Sequence, residues 1–288
     1  MSSRRAIGHN PTLRARRLAL ELMRRREAAG LTREDVARQL EWSTSTVFRI
    51  ETGRTHPHPG NVKVLLDLYG VPASERDGLV QLAREARQPG WWTSFRDVLP
   101  SPLDVYIGLE AGAAYIRNFE PIVVPGLLQT EDYAREVIRK GPRELEHEDV
   151  ERRVQMRLER QRILTQASRP RLWVVLDEAA IRRQVGGPKV MRDQLLHLIE
   201  STEQAKTTLQ VVPFEAGAHA GTGPCIILEF PDPEDRAVVY LEAQAGDVYV
   251  EDPAEVERYA IAFDRLRAVA LSPDDSVRLI ERMAREAT

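Results

Sequence analysis

Cysteine is almost absent from this chain of 288 residues, in which Cys225 stands alone. A single cysteine excludes an internal disulfide and a cysteine-rich metal site, and one beside apolar residues is typical of a protein core. Long apolar runs are absent as well: no stretch has the length that crosses a membrane, and the N-terminal residues include no apolar signal segment. We therefore expect the protein to stay in the cytoplasm, away from membranes.

The net charge is small, at −3, but the two signs are unevenly distributed. The first 90 residues contain 16 Lys or Arg and 10 Asp or Glu, whereas the remaining residues contain 25 basic and 34 acidic groups. A polyanion such as DNA is bound by Lys and Arg concentrated on one surface. The distribution favours a nucleic-acid contact by the N-terminal part, with basic residues scattered over a solvated surface as the alternative.

Proline and glycine mark a boundary in the middle of the chain. Residues 87–104 contain three prolines and one glycine and interrupt the helical pattern, as a linker does. Trp91 and Trp92 lie in this segment, where large apolar rings favour anchoring of the linker onto a domain, with a partner or ligand contact as the alternative. The predicted divisions are a flexible basic tail at 1–12, a helical module at 13–87, a linker at 88–104 and a second domain at 105–288.

Five helical patterns precede the linker. The second covers Arg33–Leu40 after a Thr32 cap, and the third follows a Ser43 cap and ends near Thr52, because Ser and Thr hydroxyls accept backbone N–H groups at helix starts. In the third pattern Val47 and Ile50 form the apolar stripe. The residues that remain on outward or flanking positions of this helix are Thr44, Ser45, Phe48 and Arg49.

The composition of the third helix predicts a contact with DNA. Short hydroxyl side chains at the start of a helix, followed by arginine one turn later, are typical of a helix that enters the major groove. Hydroxyls can bond base edges there, and arginine can bind guanine. A five-helix module that packs or dimerises without DNA is the alternative.

The segment GLTREDVARQLEWSTSTVFRIETGRTHPHPGNVKVLLDLYGV resembles the five-helix, Cro and phage-repressor type (XRE-like) of helix-turn-helix domain. The resemblance implies that Arg33 and Arg54 contact phosphates and that side chains at the start of the third helix read bases. The DNA-binding residues predicted in this way are Arg33, Ser43, Thr44, Ser45, Thr46, Arg49 and Arg54.

One position departs from the pattern of that family. Glu41 stands in the turn where its members usually have glycine. A left-handed Glu costs about 1 kcal/mol and brings a negative charge near DNA. A turn of a different shape is the alternative.

The chain after the linker mixes helices and strands. Residues 105–168 are predicted to be mostly helical, and strands begin near residue 170. Their order, one strand, one helix and then strands at hairpin spacing, predicts an α+β domain with a mainly antiparallel sheet. The fold class is therefore multi-domain, an all-α five-helix helix-turn-helix domain followed by an α+β domain. The predicted strands are RLWVVL, TTLQVV, CIILEF, AVVYLEA and DVYVE.

Several segments of the second half, among them YIGLEAGAAYIRNFEPIVVPGLLQTEDYA and LQVVPFEAGAHAGTGP, resemble successive blocks of a domain of unknown function. That domain follows helix-turn-helix modules in regulators of high-GC bacteria. The resemblance implies an antitoxin-like transcriptional regulator, often encoded beside a small partner protein. It implies no established chemistry.

Catalysis in the second domain has little support in the sequence. Acidic residues at strand ends are more often helix caps or solvated groups than catalysts, and the segment GAHAGTGP lacks the Lys-Ser/Thr ending of a phosphate loop. We expect no enzyme activity, no cofactor and no bound metal, because His197 and His219 have no further ligands at metal spacing. The residues from which an acid and base set could be assembled are Asp177, Glu178, His219, Glu229, Tyr240 and Glu242.

Three functions are compatible with these observations. The favoured one is a sequence-specific DNA-binding transcriptional regulator, a homodimer on a palindromic operator in double-stranded DNA, whose C-terminal domain binds a protein partner or a small effector. The second is an antitoxin-like protein that mainly binds a small protein encoded by a neighbouring gene, with DNA binding only autoregulatory. The third is a DNA-tethered enzyme.

Overall fold

The protein is described by a computed structural model, in which the chain divides into two compact units, Met1–Thr93 and Ser94–Thr288. Residues 1–10 of the predicted tail lie outside the described part, whereas the last two residues of that tail already belong to the first helix. The structure describes residues 11–95, 97–99, 103–142, 144–203, 206–243 and 246–287.

Five helices form the N-terminal unit, as the sequence predicts. The first helix is closed by Gly30, whose φ of +69° lies in the left-handed region that glycine adopts without a steric penalty. The second helix covers the predicted residues, and the third differs from its predicted end by one residue. The helices are α1 (Pro11–Ala28), α2 (Arg33–Leu40), α3 (Thr44–Glu51), α4 (Pro59–Leu68) and α5 (Ala73–Ala86).

Apolar side chains at helical spacing form one core in this unit. Leu22 of α1, Val36 of α2 and Leu66 of α4 are fully buried in it. Val47 and Ile50, the stripe predicted for α3, are buried in the same core. Each such side chain contributes about 1.5–3 kcal/mol through removal from water, so the core fixes which face of α3 points outward.

The segment predicted as a linker contains structure of its own. A short 3-10 helix covers Trp91–Phe95, and the next helix, α6 (Leu103–Gly112), begins before the predicted end of the linker. Trp92 is buried and contacts Trp91 edge to face, with ring centroids 5.9 Å apart. Glycine is required at position 90, because a Cβ atom there would lie 2.5 Å from the Trp92 ring.

Six strands of the second unit form one mixed sheet, in the order β3-β2-β1-β4-β5-β6. The first three strands are parallel to one another and the last three are joined by antiparallel pairing. The expectation of a mainly antiparallel sheet therefore needs correction, because helical crossovers connect the first three strands and require them to run parallel. The strands are β1 (Tyr115–Glu120), β2 (Arg171–Asp177), β3 (Thr207–Val212), β4 (Cys225–Glu229), β5 (Val238–Leu241) and β6 (Val248–Val250).

The strand β1 lies in a segment for which mostly helices were predicted, so the prediction was wrong there. β1 is central in the sheet, between β2 and β4. Its six residues include Arg117 and Asn118, which weaken the apolar alternation by which a strand is recognised. The pairing partners of β1 that determine its conformation lie more than 50 residues away in the sequence.

Helices cover both faces of the sheet. One face carries Phe119, Val175 and Ile227, which are buried with Phe263 of a later helix. Asn118 and Tyr240 point to the other face, because register partners across neighbouring strands share a face. The remaining helices are α7 (Glu131–Arg139), α8 (His147–Gln161), α9 (Glu178–Arg182), α10 (Pro188–Glu203), α11 (Pro253–Val269) and α12 (Pro273–Glu286).

Glutamine side chains satisfy the buried backbone between β1 and α7. Gln129 donates to the carbonyl of Val124 at 2.6 Å, and Gln194 donates to that of Leu128 at 2.7 Å. Gln161 of α8 donates to two further carbonyls of the segment, at 2.9 and 2.7 Å. Buried backbone groups require such partners, so these bonds attach the segment to α8 and α10.

Among the residues that the structure describes, no helix is long and apolar enough to cross a membrane.

Candidate nucleic-acid interface

The helices α2 and α3 are separated by three residues, and each begins with the predicted cap. Thr32 accepts a hydrogen bond from the backbone of Asp35 at 3.1 Å, and the Asp35 carboxylate accepts one from the Thr32 backbone at 3.0 Å. Ser43 accepts from the backbone of Thr46 at 3.1 Å. Both caps satisfy backbone donors that the first helical turn leaves unpaired.

The turn between the two helices is left-handed at Glu41, with φ 55° and ψ 34°. The alternative of a differently shaped turn is therefore wrong. The Glu41 backbone donates to the carbonyl of Ala37, which closes α2. The next residue, Trp42, packs against the core and offsets part of the conformational cost, which is about 1 kcal/mol for a non-glycine residue.

The outward face of α3 and its C-cap is formed by five exposed residues. They recur at helical spacing on the side opposite the buried stripe. Among the described residues, no hydrogen-bond or ion-pair partner is found for the side chains of Thr44 and Arg49. These two predicted site residues therefore present unused donors and acceptors to the outside. The exposed residues of this face are Thr44, Ser45, Phe48, Arg49 and Thr52.

Three other predicted residues form a hydroxyl cluster at the start of α3. The hydroxyl of Ser43 lies 3.0 Å from that of Ser45 and 2.8 Å from that of Thr46. Ser43 also caps the helix, and Thr46 is half-buried. Ser43 and Thr46 thus fix the helix start, and Ser45 is an exposed hydroxyl of the cluster.

Arg33 and Arg54, both predicted to contact phosphate, lie beside the aromatic ring of Phe48. The guanidinium carbon of Arg33 lies 5.4 Å from the Phe48 centroid, and that of Arg54 lies 5.6 Å from it. Both distances are within the range of cation–π attraction. The ring of Phe48 is 37% exposed, so the two cations and the ring form one surface at α3.

A buried carboxylate holds one of these arginines in place. Glu51, at the end of α3, accepts hydrogen bonds from Arg26 Nε at 2.6 Å and from Arg33 Nε at 2.8 Å. The Glu51 side chain is only 1% exposed. The hydrogen bond to Glu51 is the main cause that raises the pKa of Arg26, against the opposing effect of burial. The two hydrogen bonds to Glu51 link α1, α2 and α3 and fix the position of the Arg33 guanidinium.

Sequence reasoning did not include Phe48, Glu51 and Arg26 in the predicted site. Phe48 follows Thr44 by four residues and therefore shares its face. Glu51 follows Val47 by four residues and falls on the apolar stripe, where a charged residue signals a buried ion pair. The same helical spacing would have identified both, whereas Arg26 is 25 residues from its partner and carries no local signal.

The acid and base residues considered in the second unit serve separate structural contacts. His219 Nδ1 accepts from the backbone of Gly221 at 3.1 Å, so the proton on Nε2 is donated to Asp177, 3.1 Å away. Asp177 also caps α9 through the backbone of Ala179 at 2.8 Å. Both nitrogens of the His219 ring therefore form structural contacts, one with Asp177 and one within the segment GAHAGTGP.

The other acidic candidates also have partners or lie in solvent. Glu178 accepts from the backbone of Phe214 at 2.7 Å, and Glu229 forms an ion pair with Arg117 at 2.5 Å. Glu242 is exposed. Within the described residues, no group of three or more His, Cys, Asp or Glu side chains has an arrangement that could hold a metal ion.

Two family models match the sequence. A helix-turn-helix domain matches residues 17–79, which include α2, the turn and α3. A domain of unknown function (DUF5753) matches residues 103–282, which is more than half of the chain. No curated protein and no solved structure shows significant similarity to it. The chain belongs to the DUF5753 family and carries a helix-turn-helix domain at its N-terminal end.

Proposed function

We propose that this protein is a sequence-specific transcriptional regulator of the Cro and phage-repressor type (XRE-like), which reads duplex DNA with α3. The observation that carries the proposal is the outward face of this helix, where Thr44 and Arg49 are exposed without partners in the described structure. Arginine can bind guanine through two hydrogen bonds, and a threonine hydroxyl can bond a base edge. The helix-turn-helix match supports the same function.

Phe48 and its two arginines complete the proposed surface. An exposed aromatic ring at the centre of a reading face suits contact with the methyl group of thymine. Arg33 uses Nε for Glu51, and its terminal nitrogens have no other hydrogen bond among the described residues, so they are the atoms assigned to phosphate. Arg54, beside the same ring, is assigned to phosphate as well.

Selection of binding sites from a random duplex pool, followed by titration of the selected operator, tests the proposal. Arg49→Ala should reduce discrimination between operator and random DNA by about 1–3 kcal/mol, because the base contact is lost. Arg162→Ala is the matched control, since Arg162 is a 72% exposed arginine in the second unit. Unchanged discrimination in Arg49→Ala, Thr44→Ala and Ser45→Ala would refute the assignment of α3.

The regulator is proposed to act as a homodimer on a palindromic operator. One recognition helix presents too few side chains to select a genomic address. Half-sites should be about 10 base pairs apart, or a multiple of this, so that both helices meet one face of the duplex. Sedimentation of the full chain with and without the selected operator measures this directly, and a monomer in both states would contradict it.

The C-terminal domain is proposed to bind a small effector or a protein partner in the cytoplasm, and to have no catalytic activity. The supporting observation is that Asp177, His219, Glu178 and Glu229 are each engaged in structural contacts. A panel of hydrolysis and transfer assays on the full chain tests the last point, and turnover that is lost in His219→Ala would contradict it.

An antitoxin-like protein with autoregulatory DNA binding is the second candidate. The acidic balance after residue 90 favours a partner other than DNA for the second domain. Calorimetry of the full chain against the product of a small neighbouring gene, with and without operator, separates the two candidates. Tight binding of that product, combined with an operator found only at the protein's own promoter, would favour the antitoxin-like function.

A further inference from the structure

Two arginines three residues apart on α8 have opposite surroundings. Arg160 forms two hydrogen bonds with the buried carboxylate of Glu110, at 2.9 and 2.8 Å. Arg157 forms one hydrogen bond, at 2.6 Å, with the neutral side chain of Gln129. Among the described residues, no carboxylate lies within 4.0 Å of Arg157, and its Nε is shielded from solvent without a partner. One helix thus carries an arginine that is compensated by a direct ion pair and, in the described structure, an arginine without such a pair.

The pKa values of the two guanidinium groups differ in the same way. Burial, and then the neighbouring charge of Arg160, lower the pKa of Arg157 to about 10, against the weaker opposing charges of Glu242, Glu110 and Glu120. Burial also opposes the charge of Arg160, but Glu110 and Tyr106 outweigh it and raise the pKa of Arg160. Arg157 is half-buried, and a charge that is shielded from water without a direct ion pair is unfavourable. A second function of Arg157 would explain why it is retained.

Two polar residues of β1, Asn118 and Glu120, lie on the same face of the strand, and Glu120 interacts electrostatically with Arg157. Asn118 is 4% exposed, and no donor of the described residues reaches its Oδ1. Glu120, which hydrogen-bonds with Asn118, lies near Arg157, and burial is the main cause that raises the pKa of its carboxyl to about 8. Near neutral pH this carboxyl is therefore mostly protonated and able to donate. The group combines a cation without a direct ion pair in the described structure, an unmatched acceptor and a neutral acid.

We propose that Arg157, Asn118 and Glu120 bind a small carboxylic acid that also carries a hydroxyl or amino group. The ligand carboxylate matches the planar donors of Arg157. The hydroxyl or amino group donates to the Oδ1 of Asn118, and the ligand oxygens accept from Glu120. The assignment rests on the proposed function, because it names the class of effector that the C-terminal domain takes.

A purely structural role for Arg157 explains these observations less well. Gln129, its one partner, already donates to the carbonyl of Val124 and holds the buried segment without the arginine. Arg160 demonstrates that α8 can compensate a buried guanidinium with a carboxylate. An arginine that served only stability would gain from such a partner as well.

Thermal denaturation and calorimetry of the full chain test the site with four probes: glycolate, glycine, acetate and inorganic phosphate. Glycolate or glycine should raise Tm by about 2–8 °C when present far above Kd, and acetate should raise it less because it has no donor. Arg157→Met should abolish this shift and at the same time raise the Tm of the ligand-free protein, because an uncompensated charge is removed.

Arg160→Met is the matched control on the same helix. It should lower Tm, because it leaves Glu110 buried without its partner. Arg157→Lys is a second variant, which keeps the charge but loses the planar donors. It should fold, and it should bind glycolate or glycine, whichever stabilises the wild type, at least about tenfold more weakly than the wild type does.

Three results would overturn the site. They are the absence of any shift with all four probes, a shift with phosphate alone, and an Arg157→Met variant that is destabilised as much as Arg160→Met. Operator titration of the same proteins separates this outcome from the proposed function. Failure of the wild type to select an operator refutes the regulator, whereas intact operator binding without probe binding refutes only the site.

Discussion

In the N-terminal unit the buried carboxylate of Glu51 lies between two arginines, whereas in the second unit the guanidinium of Arg157 has only a neutral partner in the described structure. The first arrangement compensates its charges and also fixes the position of Arg33, a proposed DNA contact. The second leaves charge and hydrogen-bonding capacity unmatched, as a site that awaits a ligand does. We therefore interpret the Glu51 cluster as support of the proposed interface and the unpaired guanidinium of Arg157 as part of the proposed ligand site.

The backbones of the two units show the reverse contrast. The turn before α3 holds Glu41 in a left-handed conformation that glycine adopts more easily. In the second unit, Gln129, Gln161 and Gln194 satisfy the buried segment between β1 and α7. The N-terminal unit thus combines a compensated ion-pair cluster with a strained turn, and the second unit combines a well-bonded buried segment with an unpaired arginine. Substitutions at these places can measure what each feature contributes to stability.

The largest effect is expected at Glu51. Glu51→Gln removes the buried carboxylate and leaves the buried Arg26 paired with the exposed carboxylate of Glu27, 3.4 Å away, so the free energy of unfolding of the N-terminal unit should fall by about 3–5 kcal/mol. Urea denaturation of the full chain measures the loss. Glu27→Gln is the control, since the Glu27 side chain is 58% exposed and its loss should change stability by no more than about 0.5 kcal/mol. Equal losses of stability in Glu51→Gln and Glu27→Gln would mean that the buried carboxylate contributes no more than an exposed one, and the comparison with Arg157 would fail.

The next effect concerns Glu120 and depends on pH. Burial, followed by the charge of Glu242, raises the pKa of Glu120 to about 8, while Asn118 and Arg157 act in the opposite direction. Because the folded-state pKa lies above the unfolded value, the contribution is fully present below about pH 4 and is lost as pH rises to about 8. Glu120→Gln should remove this loss and be more stable than the wild type at pH 8, by on the order of 2–3 kcal/mol.

Urea denaturation at pH 5, 7, 8 and 9 checks the pH effect. The difference between Glu120→Gln and the wild type should grow between pH 5 and pH 8 and then stay constant. Glu257→Gln is the control, because Glu257 is exposed on α11. A difference that is independent of pH would contradict a half-buried neutral acid beside Arg157.

A smaller effect is expected at the aromatic ring of the proposed interface. Phe48→Ala removes the ring beside Arg33 and Arg54 and should weaken operator binding by about 1–1.5 kcal/mol. Stability should change little, because the ring is partly exposed. Fluorescence anisotropy with the selected operator measures the affinity, and Val64→Ala, at a 43% exposed position of α4, is the control. Wild-type affinity in Phe48→Ala would remove the ring from the reading face.

The parts of the fold that follow from local interactions could be predicted. The starts of α2 and α3 were correct because Thr32 and Ser43 bond backbone groups only three residues away. The buried stripe of α3 was correct because helical spacing defines it. The predicted DNA contacts of Thr44 and the other site residues stay predictions, since exposure alone does not establish a contact.

The parts that depend on distant partners could not be predicted. β1 adopts its conformation through β2 and β4, and its own residues are too polar to indicate a central strand. The partner of Glu51 lies 25 residues away, and Arg160 is 50 residues from Glu110. Arg157 and Arg160 are three residues apart on one helix and have the same side chain, and only the folded structure distinguishes the compensated arginine from the other.

The smallest effect is expected at the turn. Glu41→Gly should stabilise the N-terminal unit by about 0.5–1 kcal/mol, because relief of the left-handed strain outweighs the added freedom of the unfolded chain. Glu34→Gly is the matched control: Glu34 is exposed in the helical first turn of α2, so the same change there should destabilise by about 0.5–1 kcal/mol. Operator affinity should also rise slightly in Glu41→Gly, since a negative charge near the phosphates is removed. Urea denaturation and operator titration measure both effects. If Glu41→Gly and Glu34→Gly lose the same amount of stability, the left-handed conformation at Glu41 does not destabilise the N-terminal unit.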